Sequence, residues 1–245
     1  MKITYFFFFL FITAAGCNSQ EATSSKKIED IALLNKIEFT NPKFDQPKFS
    51  CGFLLAYAND TFAVTAKHLL QIIKPDDMAT LFFTPSVKSW TLFPMTHPTE
   101  NVVTEKLLNE NAAESLADKK IYDNDWLVFS IKENHSKIKP LQPRLTPLVA
   151  GEKLYLAGWT RKMEDGPQRV YEFEYYKTIG QRILLKDLVV PETFGGLSGA
   201  PLVDEQGLVA GLVSNGTVDP ITGKKYFSPC SLTSLLNFLD KLSSK

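Results

Sequence analysis

The sequence predicts an all-β fold, a sandwich or a barrel. Many short apolar runs are separated by turn residues, the pattern of strands that fold back on one another rather than alternate with long helices. Two of the separators, Asn59-Asp60 and Glu205-Gln206-Gly207, read as hairpin turns. The 245 residues are 44% hydrophobic, which gives enough apolar surface for one compact unit of two subdomains.

Taken from the N-terminus, residues 1–16 read as an export signal rather than as part of the fold. Lys2 supplies a short positive region, and Ile3 to Ile12 form an apolar stretch with four consecutive phenylalanines. That stretch is too short for a membrane span. The following Ala14-Ala15-Gly16-Cys17 resembles the lipobox of bacterial lipoproteins, with Ala14 where leucine is commoner. The resemblance implies cleavage before Cys17 and lipidation of its thiol; the alternative is an ordinary signal peptide cleaved nearby. Residues 17–30 carry no large apolar side chain before Ile28, so they cannot bury themselves and read as a polar tether. Residues 31–245 are left as the folded domain.

Within that domain strands are predicted over residues 51–57, 61–65, 80–83, 89–93, 126–131, 153–158, 170–176, 182–189, 201–203 and 208–214, from their apolar, β-branched and aromatic content. Two segments have helical spacing instead. Val103, Leu107, Leu108, Ala112 and Leu116 predict a helical insertion over 101–119, either a packing element or a lid. Leu232, Leu235, Leu236, Phe238, Leu239 and Leu242 predict a C-terminal helix over 231–242 with Ser231 as its cap.

The chemistry is concentrated in Gly195-Gly196-Leu197-Ser198-Gly199-Ala200-Pro201. A serine between glycines reads as a nucleophile on a tight turn, because residues without Cβ let the loop aim the Ser198 hydroxyl and successive N–H groups at one point. Such a serine needs a base, and the base needs an orienting carboxylate. Of the three histidines, His97 and His135 lie in polar, loop-like surroundings, whereas His68 follows the apolar run Phe62-Ala63-Val64 and a small-residue turn. Asp125 directly precedes the apolar run Trp126-Leu127-Val128-Phe129, which can fix and desolvate it; Asp123 is its rival. Taken singly, Ser198, His68 and Asp125 each have a plain structural explanation, and it is their joint arrangement that points to catalysis.

Val64-Thr65-Ala66-Lys67-His68, Asn124-Asp125-Trp126-Leu127-Val128, Gly196-Leu197-Ser198-Gly199-Ala200-Pro201 and Gly211-Leu212-Val213-Ser214-Asn215-Gly216 occur in that order. Together they resemble the trypsin-like, chymotrypsin-fold serine peptidases of the bacterial exported branch, over residues 51 to about 216. The order His, Asp, Ser separates them from α/β-hydrolases and subtilisin-like enzymes. The resemblance implies two six-stranded antiparallel β-barrels with a short helical insertion and a C-terminal helix. It also implies a catalytic set of His68, Asp125 and Ser198, and an oxyanion hole of the Gly196 and Ser198 N–H groups. Substrate would then lie along Ser214, Asn215 and Gly216. Glu192, six residues before Ser198, stands where a pocket floor would lie; it reads equally as a buried carboxylate that selects Lys or Arg, or as an exposed rim residue. Lys67 and Leu197 depart from the animal enzymes, and Leu197 cannot pair with a newly formed amino terminus.

The 27 basic and 27 acidic residues balance, and no basic run interleaved with aromatics tracks a phosphate backbone, so nucleic acid is not an expected partner. Cys51 and Cys230 have no second ligand at metal spacing, and they are either a disulfide or two buried thiols. The implied chemistry needs no metal or cofactor. The expected partners are a peptide or protein substrate and, through the lipid, an envelope membrane, with the protein acting as a monomer. The other reading is an inactive protease-fold binding module; an esterase is weaker because of the chain order.

Overall fold

In the computed structural model residues 28–244 are described; the predicted export signal, Cys17 and most of the predicted tether lie outside them. Two closed six-stranded antiparallel barrels form the body of the described residues. The first is built from β1 (Ala32–Phe39), β2 (Gln46–Tyr57), β3 (Asp60–Thr65), β5 (Val87–Phe93), β6 (Val102–Leu107) and β8 (Leu127–Asn134), in the order β1-β2-β3-β8-β6-β5. The second is built from β9 (Lys153–Gly158), β10 (Arg169–Ile179), β11 (Arg182–Val189), β12 (Pro201–Val203), β13 (Val209–Val218) and β14 (Lys225–Ser231), in the order β10-β11-β14-β13-β12-β9. A two-stranded sheet joins β4 (Thr80–Leu81) to β7 (Asn111–Ser115), and two helices, α1 (Leu69–Ile73) and α2 (Thr233–Ser243), complete the described elements with two short 3-10 turns.

Continuous apolar runs in the central strands have a direct cause. Successive side chains of a strand point to opposite faces, and here both faces are buried. On β2, Leu54 enters the interior of the first barrel, while Phe53 and Leu55 enter the layer between the barrels. On β9, Tyr155 and Ala157 join that same layer, and Leu154 and Leu156 fill the second barrel. Burying each of the larger side chains contributes roughly 1.5–3 kcal/mol, so the layer between the barrels is as much a core as either interior.

The predicted helical insertion over 101–119 is not a helix. Val102–Leu107 is β6, which lies between β5 and β8 and closes the first barrel, and Asn111–Ser115 is β7. Register shifts at Val103/Thr104 and Thr104/Leu107 break strict alternation, so the strand lacks a clean period of two, and Val103, Leu107, Leu108 and Ala112 read with a helical spacing instead. Pairing with two neighbours outweighs that spacing. The predicted strand over 80–83 is only Thr80–Leu81. In the first hairpin Tyr57 pairs with Asp60, so Ala58 and Asn59 form the turn, with Ala58 at φ 52°. In the second, Asp204 Oδ1 accepts from Gln206 N–H and Leu208 N–H, each at 2.9 Å. The C-terminal helix is present; Ser231 Oγ accepts from Thr233 N–H at 3.1 Å just ahead of it, while Leu232 occupies the cap position itself.

Candidate active site

Ser198 sits on a turn whose Leu197 N–H donates to Phe194 C=O at 3.1 Å and whose Ala200 N–H donates to Leu197 C=O at 2.8 Å. Gly196 at φ 99° and Gly199 at φ 82° make the turn possible, because a Cβ raises the energy of that region by about 1–2 kcal/mol. Space forbids one as well. A Cβ on Gly199 would stand 2.5 Å from Thr65 Oγ1 and 2.9 Å from Ala66 N, and one on Gly196 would stand 2.8 Å from the Thr160 carbonyl carbon. The Gly195 C=O accepts from Arg161 N–H at 2.6 Å. In a planar trans peptide the following N–H points the opposite way, so this bond turns the Gly196 N–H away from Arg161. The Ser198 C=O is held from the other barrel by Cys51 N–H at 2.9 Å.

His68 ends the turn after β3 and stands at the start of α1. Its Nε2 is 2.9 Å from Ser198 Oγ and its Nδ1 is 2.7 Å from Asp125 Oδ2, while its own N–H donates to Asp125 Oδ1 at 2.8 Å. Ser214 Oγ also donates to Asp125 Oδ2. Asp125 is fully buried. Burial pushes its carboxyl up, but the hydrogen bond and charge of His68 and the hydrogen bonds from Ser214 and the His68 N–H overcome this and hold it below the ordinary 3.8. An ionised Asp125 accepts a proton bond from Nδ1–H, which leaves the Nε2 lone pair for the Ser198 hydroxyl.

The structure therefore brings together His68, Asp125, Ser198 and Ser214, with Gly196 beside them. His135 is exposed and lies against Glu133 at 3.2 Å. Asp123 closes a 3-10 turn, its N–H on Lys120 C=O, and it is Asp125 that meets the imidazole. Glu192 does not form a buried floor: its side chain is 44% exposed and bonds Lys162 Nζ at 2.9 Å. Asn215 and Gly216 continue β13 past Ser214, paired with Ser228 and Phe227 of β14. Cys51 and Cys230 are free and buried, and burial pushes the Cys51 thiol up to about 12.

Several contributors act through contacts that the sequence motifs do not show. Tyr122 stacks on the His68 ring with centroids 5.7 Å apart. Lys67, nearly buried, donates to Glu114 Oε1 at 2.6 Å and lies 5.8 Å from the Trp126 ring, so the residues next to His68 and Asp125 also touch. Trp126 Nε1–H in turn donates to Ser234 Oγ of α2 at 2.9 Å. Beneath the serine loop, Asn35 Nδ2 donates to Cys51 C=O at 2.9 Å and contacts Thr65 Oγ1 at 3.2 Å. On the Arg161 side of Gly196 a cavity of about 70 Å³ is lined mainly by Leu34, Phe49, Met95, Trp159 and Met163.

Known structures share this arrangement of barrels. One, named GrC, is 17% identical over 88% of this chain and 94% of its own, with a TM-score of 0.60. A Glu endopeptidase in complex with MPD is 12% identical over 93% of this chain and 99% of its own, with a TM-score of 0.59. Neuropsin, a serine protease expressed in the limbic system of mouse brain, is 16% identical over 85% of this chain and 93% of its own, with a TM-score of 0.57. The fold is chymotrypsin-like. No protein-family model matches the chain, and no curated protein matches its sequence. At these identities the likeness concerns the chymotrypsin-like barrels alone.

Proposed function

We propose that this chain is a serine endopeptidase that hydrolyses peptide bonds through Ser198, His68 and Asp125. The observation that carries the reading is the continuous hydrogen-bonded path from Asp125 through His68 to Ser198, at 2.7 and 2.9 Å. As Ser198 Oγ attacks the substrate carbonyl carbon, its proton passes to His68 Nε2, and Asp125 stabilises the resulting imidazolium. The carbonyl oxygen becomes an oxyanion, for which the Gly196 and Ser198 N–H groups are the donors. Losing one such donor typically costs about 3–4 kcal/mol of transition-state stabilisation. The tetrahedral intermediate collapses when His68 returns the proton to the leaving nitrogen; water then attacks the acyl-enzyme by the same route and frees the acid. The bond from Arg161 N–H to Gly195 C=O supports a hole aligned without an activation cleavage.

The substrate is a peptide or protein lying along Ser214, Asn215 and Gly216. Serine-loop groups engage Val213 of β13, through Gly199 N–H and Ala200 C=O. β12 pairs with β13 only up to Leu212, so beyond Val213 β14 is the one partner strand among the described residues. An extended chain can add to the other edge. The lipobox-like Ala14-Ala15-Gly16-Cys17 and the polar residues after it support a domain held at a bacterial envelope membrane by a lipid on Cys17.

A fluorophosphonate tests the chemistry. Covalent modification at Ser198, lost in His68→Ala, is expected; a folded protein that is not labelled would mark a binding module on a protease fold. Palmitate incorporation on expression, abolished by Cys17→Ser, tests the anchor.

A further inference from the structure

Resting on the peptidase reading, we infer that Phe227 and Phe194 make this site select a small side chain, and not a cationic one, on the residue that donates the scissile carbonyl. Two segments flank Ser198: residues 194–196, which lead into it, and residues 214–216 of β13. Across the β13–β14 ladder Phe227 stands directly opposite Gly216, and opposite residues of an antiparallel pair share a face. Gly216 offers no side chain there, and the Lys225 side chain lies over the position, its Cε 2.9 Å from where a Gly216 Cβ would stand. The Phe227 ring stacks on Phe194, with centroids 4.3 Å apart and planes at 29°. Both rest on the fully buried Phe173, at 5.0 and 6.3 Å.

The aromatic pair therefore bridges the two flanking segments. A peptide laid on the free edge of β13 with its carbonyl at Ser198 sends that residue's side chain between them, onto the stacked rings. Phe194 and Phe227 are half-buried and form a shallow apolar floor rather than a deep slot. A cation finds no support at this floor either. Glu192, the nearest acidic residue in sequence before the loop, points out to Lys162, and the Lys225 side chain beside Gly216 would repel a substrate cation.

The test is a series of peptide substrates, and matched peptidyl phosphonates, that differ only in this residue: Ala, Leu, Phe, Lys and Glu. For the wild type, kcat/KM and the labelling rate are expected to favour Ala over Phe and Lys by at least about tenfold, the scale on which a pocket discriminates by size. Phe227→Ala is expected to raise the Phe reagents about tenfold or more with little change for Ala, and Phe227→Leu to stay close to the wild type. Phe194→Ala, which removes the other half of the stack, is expected to act in the same direction and serves if Phe227→Ala does not fold. Labelling of Ser198 by all reagents without discrimination, a wild-type preference for Phe or Lys, or an unchanged ranking in folded variants would overturn the size rule alone. Absence of labelling by every phosphonate on folded protein would overturn the peptidase reading, and the size rule with it.

Discussion

Replacing Asp125 by Asn changes one atom in the buried centre and separates folding from chemistry. The carboxylate receives three donors: the His68 N–H, His68 Nδ1–H and Ser214 Oγ–H. An amide has one oxygen and one NH2. If its oxygen keeps the His68 N–H, the NH2 faces Nδ1 and Ser214 Oγ, and both can turn to accept. Every group is then satisfied, but the imidazole must carry its proton on Nε2, where it no longer accepts from Ser198. The opposite orientation sets NH2 against the His68 N–H, leaving a buried donor unmet at about 1–3 kcal/mol. The first orientation is favoured, so Asp125→Asn is expected to stay folded and to lose roughly 10⁴-fold in kcat, about 5 kcal/mol of barrier. Peptide hydrolysis and the fluorophosphonate labelling rate, both at pH 7, are the assays, with circular dichroism to establish folding. A folded variant within tenfold of the wild type would refute the reasoning.

The same carboxylate sets an acid limit. Its folded value lies below the ordinary 3.8, so its ionised form stabilises the fold above that value and the contribution is lost as pH falls through the folded value. The Tm advantage of the wild type over Asp125→Asn is therefore expected to narrow below about pH 4. Lys67 is 4% exposed and its partner Glu114 is 29% exposed, so Glu114→Ala strands a buried cation and is expected to cost about 1–3 kcal/mol more in urea denaturation than Lys67→Met, which removes the charge but keeps the bulk. Gly199→Ala combines a positive φ with overlap on Thr65 and Ala66 and is expected to destabilise by about 2–5 kcal/mol at unchanged m-value. Cys51 and Cys230 are buried free thiols; neither is expected to react with iodoacetamide at pH 8 until denaturant is added, when both should be alkylated without prior reduction.

The parts of the fold legible in the sequence are those in which one residue's neighbours settle its state. His68 and Asp125 abut apolar runs, and Ser198 sits between glycines, so their placement at strand ends and a turn could be read locally. β1 carries no clear strand signal because its burial changes from continuous at Ala32–Asn35 to nearly alternating at Lys36–Phe39, a consequence of lying first between the barrels and then along one. β6 resembles a helix in sequence because its bulges carry inward side chains away from strict alternation. β14 contains Ser228 and Pro229, and one of its two partners, β11, is distant in sequence. Within the site, the sequence points to Ser214 only as lining for substrate, because its hydrogen bond to Asp125 spans 89 residues. Tyr122 and Arg161 act through a ring face and a main-chain N–H, for which no motif exists.

Neither half of the molecule holds the whole of the proposed reaction centre. The imidazole and carboxylate hang from the first barrel and the alcohol from the second, and the link between them is a 2.9 Å contact across the seam. A donor and acceptor at 3.6 Å no longer share a proton, so a separation of the barrels by under about 1 Å at this point would silence the centre while leaving both interiors intact. On the proposed peptidase reading, a ligand or pressure acting on that seam would thus change turnover without unfolding either barrel.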